Sequence, residues 1–366
     1  MVENDKIINL LKTLVEIESP SKKENQIKEF VKNYLKNLGY EVFESENYIA
    51  TKTTSDLIVA THLDTLPLNY KFSYDGVYAY GTGVCDAKAS ITAMLVAAEN
   101  KLNYTLAFFG DEEEDGLGSK EFVKTWENGK FAIVMEPTNL EIASKHWGSF
   151  ELIIKVEGKE AHGAFPEKGI NAIEKTFELY KELKKLNLKL NPLRINGGSE
   201  KYIIPDICEV KFEIFLKPEE KIFDYLEKIK FVENFGKYEI DHVYEGYISG
   251  EVVKYLEEAI KLAKLPVSYT EMKSWTDALN LKERFDVVVW GPGNLEFCHT
   301  KEEKVKIEEI KKAIEVLISL NFLFLLKTNQ DKYKGVFIKI LKNIADAKEP
   351  RAKIGNNFFF FIPYPF

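Results

Sequence analysis

The stretch DLIVATHLDTLP, Asp56–Pro67, decides how this chain reads. Four apolar residues, Leu57–Ala60, follow one another without polar interruption, as in a strand buried on both faces. Buried strands usually stop at glycine, proline or asparagine, but this one ends on an imidazole, His62, and a carboxylate, Asp64. Downstream, helical patterns and short apolar runs alternate: ASITAMLVAAEN, YTLAFFG, SKEFVKTW, FAIVME. Strict alternation predicts an α/β domain with a mostly parallel central sheet covered on both faces. Ligands of such sheets lie beyond the carboxyl ends of the strands.

Other segments end in the same way. GVCDAK places Asp86 at a strand-to-helix turn, and FFGDEEEDG places Glu112 and Glu113 after an apolar run. VMEPT does the same with Glu136, and LEFCHT brings His299 after FDVVVWGPG. A close pair of divalent ions needs a shared carboxylate, further His, Asp or Glu ligands, and open positions for water. His62, Asp86, Glu113, Glu136 and His299 supply that set and leave Glu112 as an unbound base. Without a thiolate ligand, zinc is favoured, with cobalt or manganese as workable substitutes. Any one of these acids alone would read as a solvated loop carboxylate, and DEEEDG lacks the alternating spacing of a calcium loop. The GTG of Gly81–Gly83 resembles a dinucleotide-binding loop, but Asp86 stands where close helix packing needs a third small residue. Cys85 and Cys298 precede two of the candidate ligands and read as buried packing residues.

Near the amino terminus, Ser21 and Glu24 form an S-x-x-E capping box for a helix running to Leu38, with Gly39 at its left-handed end. From Gly148 the order becomes strand, helix, strand, strand, helix, strand, which predicts a ferredoxin-like α+β unit. The expected domains are 1–147 with 247–327, an insertion at 148–246, and an extension at 328–366. The ending NNFFFFIPYPF is too short and proline-rich for a membrane span and reads as a docking tail or a poorly ordered extension.

Across 366 residues the net charge is −8, which excludes a general nucleic-acid binder. No apolar run is long enough to cross a membrane, and the acidic start is unlike a signal peptide, so the expected location is cytoplasmic. Three scattered cysteines make neither a disulfide framework nor a CxxC zinc site.

In this order, HLDTLP, GTGVCDAKAS, GDEEEDGLGS, MEPTN, AHGAFPEKGINAI and GPGNLEFCHTKEE resemble the di-zinc metallopeptidase and deacylase family of acetylornithine deacetylase, succinyl-diaminopimelate desuccinylase and glutamate carboxypeptidase. The resemblance implies a zinc-peptidase-like catalytic domain binding two zinc ions. Asp86 would bridge them, His62 and Glu136 would complete one, and Glu113 and His299 the other. Glu112 would be the general base, Asp64 would orient His62, and a cis peptide would follow Asp86. The insertion would be a lid and dimerisation domain of a homodimer, with His162 reaching the partner subunit's active site. Relatives often carry asparagine where Tyr202 stands and D-x-R where Glu213, Ile214 and Phe215 stand. Within the family, the chain is most similar to the hydrolases of lysine and arginine biosynthesis that release lysine or ornithine from an amino-group carrier protein. The alternatives are a deacetylase, desuccinylase or dipeptidase acting on a small N-acyl amino acid or peptide, and a non-catalytic binding protein of the same fold. Lys181, Lys184, Lys185 and Lys189, with Lys145 and His146, are the cations offered to an acidic carrier.

Overall fold

A computed structural model describes residues 4–328; the tail ending NNFFFFIPYPF lies outside them. Strand Leu57–His62 pairs in parallel with Thr105–Phe109 on one side and Phe131–Val134 on the other, and the latter pairs in parallel with Asp286–Val289. These four strands form the centre of a nine-stranded sheet. Its flanks are antiparallel: Tyr48–Thr51 and Val42–Glu44 at one end, Ile142–His146 and Tyr247–Ile248 at the other, with Tyr269–Met272 returning parallel beside Ile142–His146.

Alternation along the central strands divides the core. Leu57 and Val59 join one hydrophobic cluster with helices Asn4–Glu16, Asn25–Asn37, Lys88–Ala98 and Val252–Leu262. Ile58 and Ala60 join the other, with Phe122 of helix Leu117–Thr125, Trp126 just after it, and Leu281. Burial on both faces explains the uninterrupted apolar runs. Helix Val252–Leu262 shows the complementary signature, burying Val252, Leu256, Ala259 and Ile260 on one stripe.

The second sheet contains strands Gly148–Glu157, Leu190–Gly197, Ile207–Leu216 and Gly236–Tyr244, with helices Ala172–Lys185 and Phe223–Ile229 between them in sequence. Its spatial order is second, third, first, fourth, and all neighbours are antiparallel, as in a ferredoxin-like unit. It has its own cluster of buried apolar residues, including Phe150, Leu152, Leu179, Phe212 and Ile214. A third, three-stranded sheet, absent from the sequence reading, joins Ser73–Tyr74, Tyr78–Tyr80 and Lys304–Lys306.

The capping box is not formed. Helix Asn25–Asn37 starts after Glu24, whose side chain caps nothing and instead accepts the N–H groups of Lys22 and Asp111. Ser21 turns to Asp64. Among the described residues, no helix is long and apolar enough to cross a membrane.

Candidate metal centre

Because the central strands are parallel, their carboxyl ends share one edge. His62 is the last residue of its strand, Glu112 and Glu113 follow Thr105–Phe109, and Glu136 follows Phe131–Val134. Asp86 lies in the turn before helix Lys88–Ala98 and is followed by a cis peptide bond to Ala87, as the family resemblance implied. His299 arrives from the loop after Asp286–Val289, in a left-handed backbone conformation (φ 63°).

The ligand atoms form two groups that share Asp86. His62, Asp86 and Glu136 make one, and Asp86, Glu113 and His299 the other; within each, one ligand atom per residue lies within 4.8 Å of the others. Asp86 turns one oxygen to each group: Oδ1 is 2.9 Å from His62 Nε2, and Oδ2 is 3.4 Å from His299 Nε2. His299 Nε2 is also 2.9 Å from Glu113 Oε1, and His62 Nε2 is 3.8 Å from Glu136 Oε2. A cleft of about 200 Å³ opens onto Asp86, Glu113, Glu136 and His299, and Glu112 lines it too.

His62 Nδ1–H donates to the backbone carbonyl of Asp64 (2.9 Å), which leaves Nε2 free to face the cluster. The carboxylate of Asp64 is 3.6 Å from that Nδ1 and has further partners. Its two oxygens accept the N–H groups of Glu112 and Glu113, each at 3.0 Å, and Ser21 Oγ–H donates to it at 2.7 Å. Burial alone would raise the Asp64 carboxyl, but His62, the Glu113 amide and Ser21 outweigh it and hold it below its usual range. Asp64 therefore fixes both the imidazole and the turn carrying the two glutamates.

The cluster carries more buried negative charge than its two imidazoles can balance. Burial pushes Glu112 and Glu136 well above the ordinary carboxylate range, and the neighbouring acids push the same way. Asp277, fully buried, is raised to about 7, also by burial. Hydrogen bonds to Asp86 and Glu113 raise His299 to about 10. Glu136 Oε1 is buried without a hydrogen-bond partner. A surplus of buried carboxylates, imidazole nitrogens facing them and an orphaned oxygen fit divalent cations.

All five expected ligands meet, Glu112 lines the same cleft and Asp64 stands behind it. His162 is not part of the cluster: it sits in an exposed turn, where its Nδ1 accepts the N–H of Ala164. The structure adds three residues that the sequence reading gave no role at the site. Ser21 holds Asp64. Asp277 receives the Ser119 hydroxyl and lies close enough to Glu112 and Glu136 to raise both. Glu303 accepts the N–H groups of Gly83, Cys85 and Asp86. Glu303 closes the motif HTKEE and Ser21 opens the S-x-x-E motif, but neither motif pointed to these contacts. Cys85 and Cys298 are buried, as expected, and both thiols point to the carbonyl of Asn294.

The model of Peptidase family M20/M25/M40 matches residues 58–321. The chain is similar to an uncharacterised metallohydrolase of Methanocaldococcus jannaschii, with 29% identity over 326 residues that cover 79% of this chain and 91% of the relative. It is also similar to a LysW-lysine/LysW-ornithine hydrolase of Sulfurisphaera tokodaii, with 29% identity over 346 residues, 86% of this chain and 94% of the relative. Among solved structures, a tripeptidase from Staphylococcus aureus shares the fold at a TM-score of 0.78 and 21% identity, covering 88% of this chain and 99% of the other.

Proposed function

The chain belongs to peptidase family M20/M25/M40, and on that premise we propose that it hydrolyses a linear amide at two divalent ions, releasing lysine or ornithine from an amino-group carrier protein. The observation that carries the two-ion reading is Asp86, with one oxygen toward each group of ligands. His62, Asp86 and Glu136 would hold one ion; Asp86, Glu113 and His299 would hold the other. Zinc suits these imidazole and carboxylate donors, and cobalt or manganese can replace it.

When bound, the ions polarise the amide carbonyl and acidify a water. Glu112, at the cleft wall, takes a proton from the attacking water and returns it to the departing nitrogen. The amide C–N bond breaks, water adds across it, and a carboxylate and an amine leave. Asp64 keeps His62 and the Glu112–Glu113 turn in place.

Residues 148–246 form a lid inserted into a catalytic domain of 1–147 and 247–327, and two chains make a homodimer in which His162 serves the partner's site. Supporting this are the exposed turn of His162, the exposed Phe165 and Tyr202, and strand Leu190–Gly197, which among the described residues lies at an edge of its sheet.

The carrier reading draws on the Sulfurisphaera tokodaii relative and on local charge. Lys189 Nζ lies 4.9 Å from the ring centre of Trp147 and 4.3 Å from that of Phe215; Lys273 Nζ is 5.9 Å from the Trp147 ring. Lys273 adjoins Ser274, on the cleft wall. Two ammonium groups about one indole suit a carboxylate-rich partner. His146, in contrast, is fully buried and drops out of the candidate docking cations. The experiment is to offer the zinc-loaded protein lysine-loaded carrier, ornithine-loaded carrier and N-acetylornithine. Free lysine or ornithine should appear from the carrier; turnover of N-acetylornithine with none from the carrier would overturn the substrate assignment.

A further inference from the structure

Asp86 is the residue on which both groups of ligands depend, yet the segment that carries it is neither helix nor strand. From Gly81 to Ala87 the chain turns through two glycines with positive φ, Gly81 at 142° and Gly83 at 70°. Within this segment, Val84 N–H reaches Gly81 O (3.2 Å) and Lys88 N–H reaches Gly83 O (2.9 Å). The N–H groups of Gly83, Cys85 and Asp86 find their acceptor 215 or more residues away in sequence, in the carboxylate of Glu303. Oε2 accepts Gly83 (3.1 Å), and Oε1 accepts Cys85 (2.9 Å) and Asp86 (3.2 Å).

The topology explains why Glu303 is there. Strand Lys304–Lys306 runs antiparallel to Tyr78–Tyr80 with Lys304 opposite Tyr80, so residue 303 falls just beyond the ladder, across from the start of the turn. Its side chain is buried, at 3% exposure, and three amide donors converge on it. The same loop begins with His299, whose Nε2 lies 3.4 Å from Asp86 Oδ2. One five-residue stretch, His299–Glu303, thus holds Asp86 at both ends, its side chain through the imidazole and its backbone through the carboxylate.

We propose that Glu303 is a positioning residue for the metal centre: by fixing the Gly83–Asp86 turn it aims the shared carboxylate at both ions and keeps His299 in register with it. It touches no ligand atom and acts through the backbone. The inference rests on the two-ion reading above, and its test separates the two. Replacing Glu303 by Gln keeps the volume but sets an NH₂ donor against one or more of the backbone donors. Replacing it by Ala leaves all three N–H groups without this acceptor. Removing a group that orients a ligand weakens metal binding by roughly 10- to 100-fold.

The test titrates the metal-free full chain with Zn²⁺ by calorimetry and records the visible spectrum of the Co²⁺ form, for the wild type, Glu303→Gln and Glu303→Ala. Thermal unfolding of each metal-free protein runs alongside. The wild type should take up two ions. Glu303→Gln should bind them about 10-fold more weakly and Glu303→Ala about 100-fold more weakly, both with an altered Co²⁺ spectrum. Wild-type affinities and spectrum in a folded Glu303→Ala, even with a lowered melting temperature, would reduce Glu303 to a structural residue and overturn the proposal. If Glu303→Ala does not fold, wild-type affinity in Glu303→Gln does the same. A wild type that binds no pair of ions would instead overturn the two-ion reading.

Discussion

Glu112 and Glu113 are neighbours in sequence with different partners. Glu113 Oε1 lies 2.9 Å from His299 Nε2, whereas Glu112 belongs to neither three-ligand group. Replacing Glu112 by Gln removes the proton acceptor and leaves the five ligands intact. Activity should fall by roughly 10²- to 10⁴-fold while metal analysis still finds two ions; undiminished turnover would refute its role as base. His146 allows a prediction about pH. It is fully buried; its Nδ1–H donates to Trp147 O (2.6 Å), and the Thr276 hydroxyl meets its Nε2 at 2.9 Å. Burial holds it down at about 4 from an ordinary 6.5. Between those values the unfolded chain takes up a proton that the folded chain refuses, so stability is lost as pH falls from 6.5 towards 4. By pH 5 the loss from this residue is roughly 2 kcal/mol. Urea unfolding should show this slope in the wild type and a flatter one in His146→Asn; equal slopes would contradict it.

The two crossings between the sheets pass through Gly148 and Gly246. A Cβ on Gly148 would lie 2.1 Å from Tyr244 O and 2.5 Å from Gly246 N, both backbone atoms that cannot turn aside as a side chain would. Gly148→Ala should therefore cost about 1–3 kcal/mol, read as a lower denaturant midpoint; an unchanged midpoint would show that the crossing is looser than this geometry. Both glycines bound the insertion expected at 148–246. Within it, strands Gly148–Glu157 and Ile207–Leu216 bury alternate residues, and that period of two made them legible in the sequence. The five residues proposed as metal ligands were legible for another reason: they interrupt the usual chemistry of a strand end. Ser21, Asp277 and Glu303 were not, because each comes from a loop or a helix edge with no periodicity to mark it. Ser21 also sits in a motif with a competing local meaning, the capping box, and the buried carboxylate of Asp64 proves the stronger partner. The three-stranded sheet escaped because its strands are only two or three residues long.

Across the whole molecule, the candidate metal centre joins elements from distant parts of the chain, so loading it should stabilise the fold as a unit. The buried carboxylates that repel one another without cations gain partners when cations bind. Ion present at about 1,000 times its Kd adds about 4 kcal/mol to the folded state. Stripping the protein with a chelator and restoring zinc should lower and then raise its melting temperature; no shift in either direction would mean that the folded chain holds no such ion. The most direct test is a crystal of the zinc-loaded protein measured on both sides of the zinc absorption edge. Two anomalous peaks should flank the Asp86 carboxylate, one shared with His62 and Glu136 and the other with Glu113 and His299. A single peak, or none, among these five side chains would contradict the account.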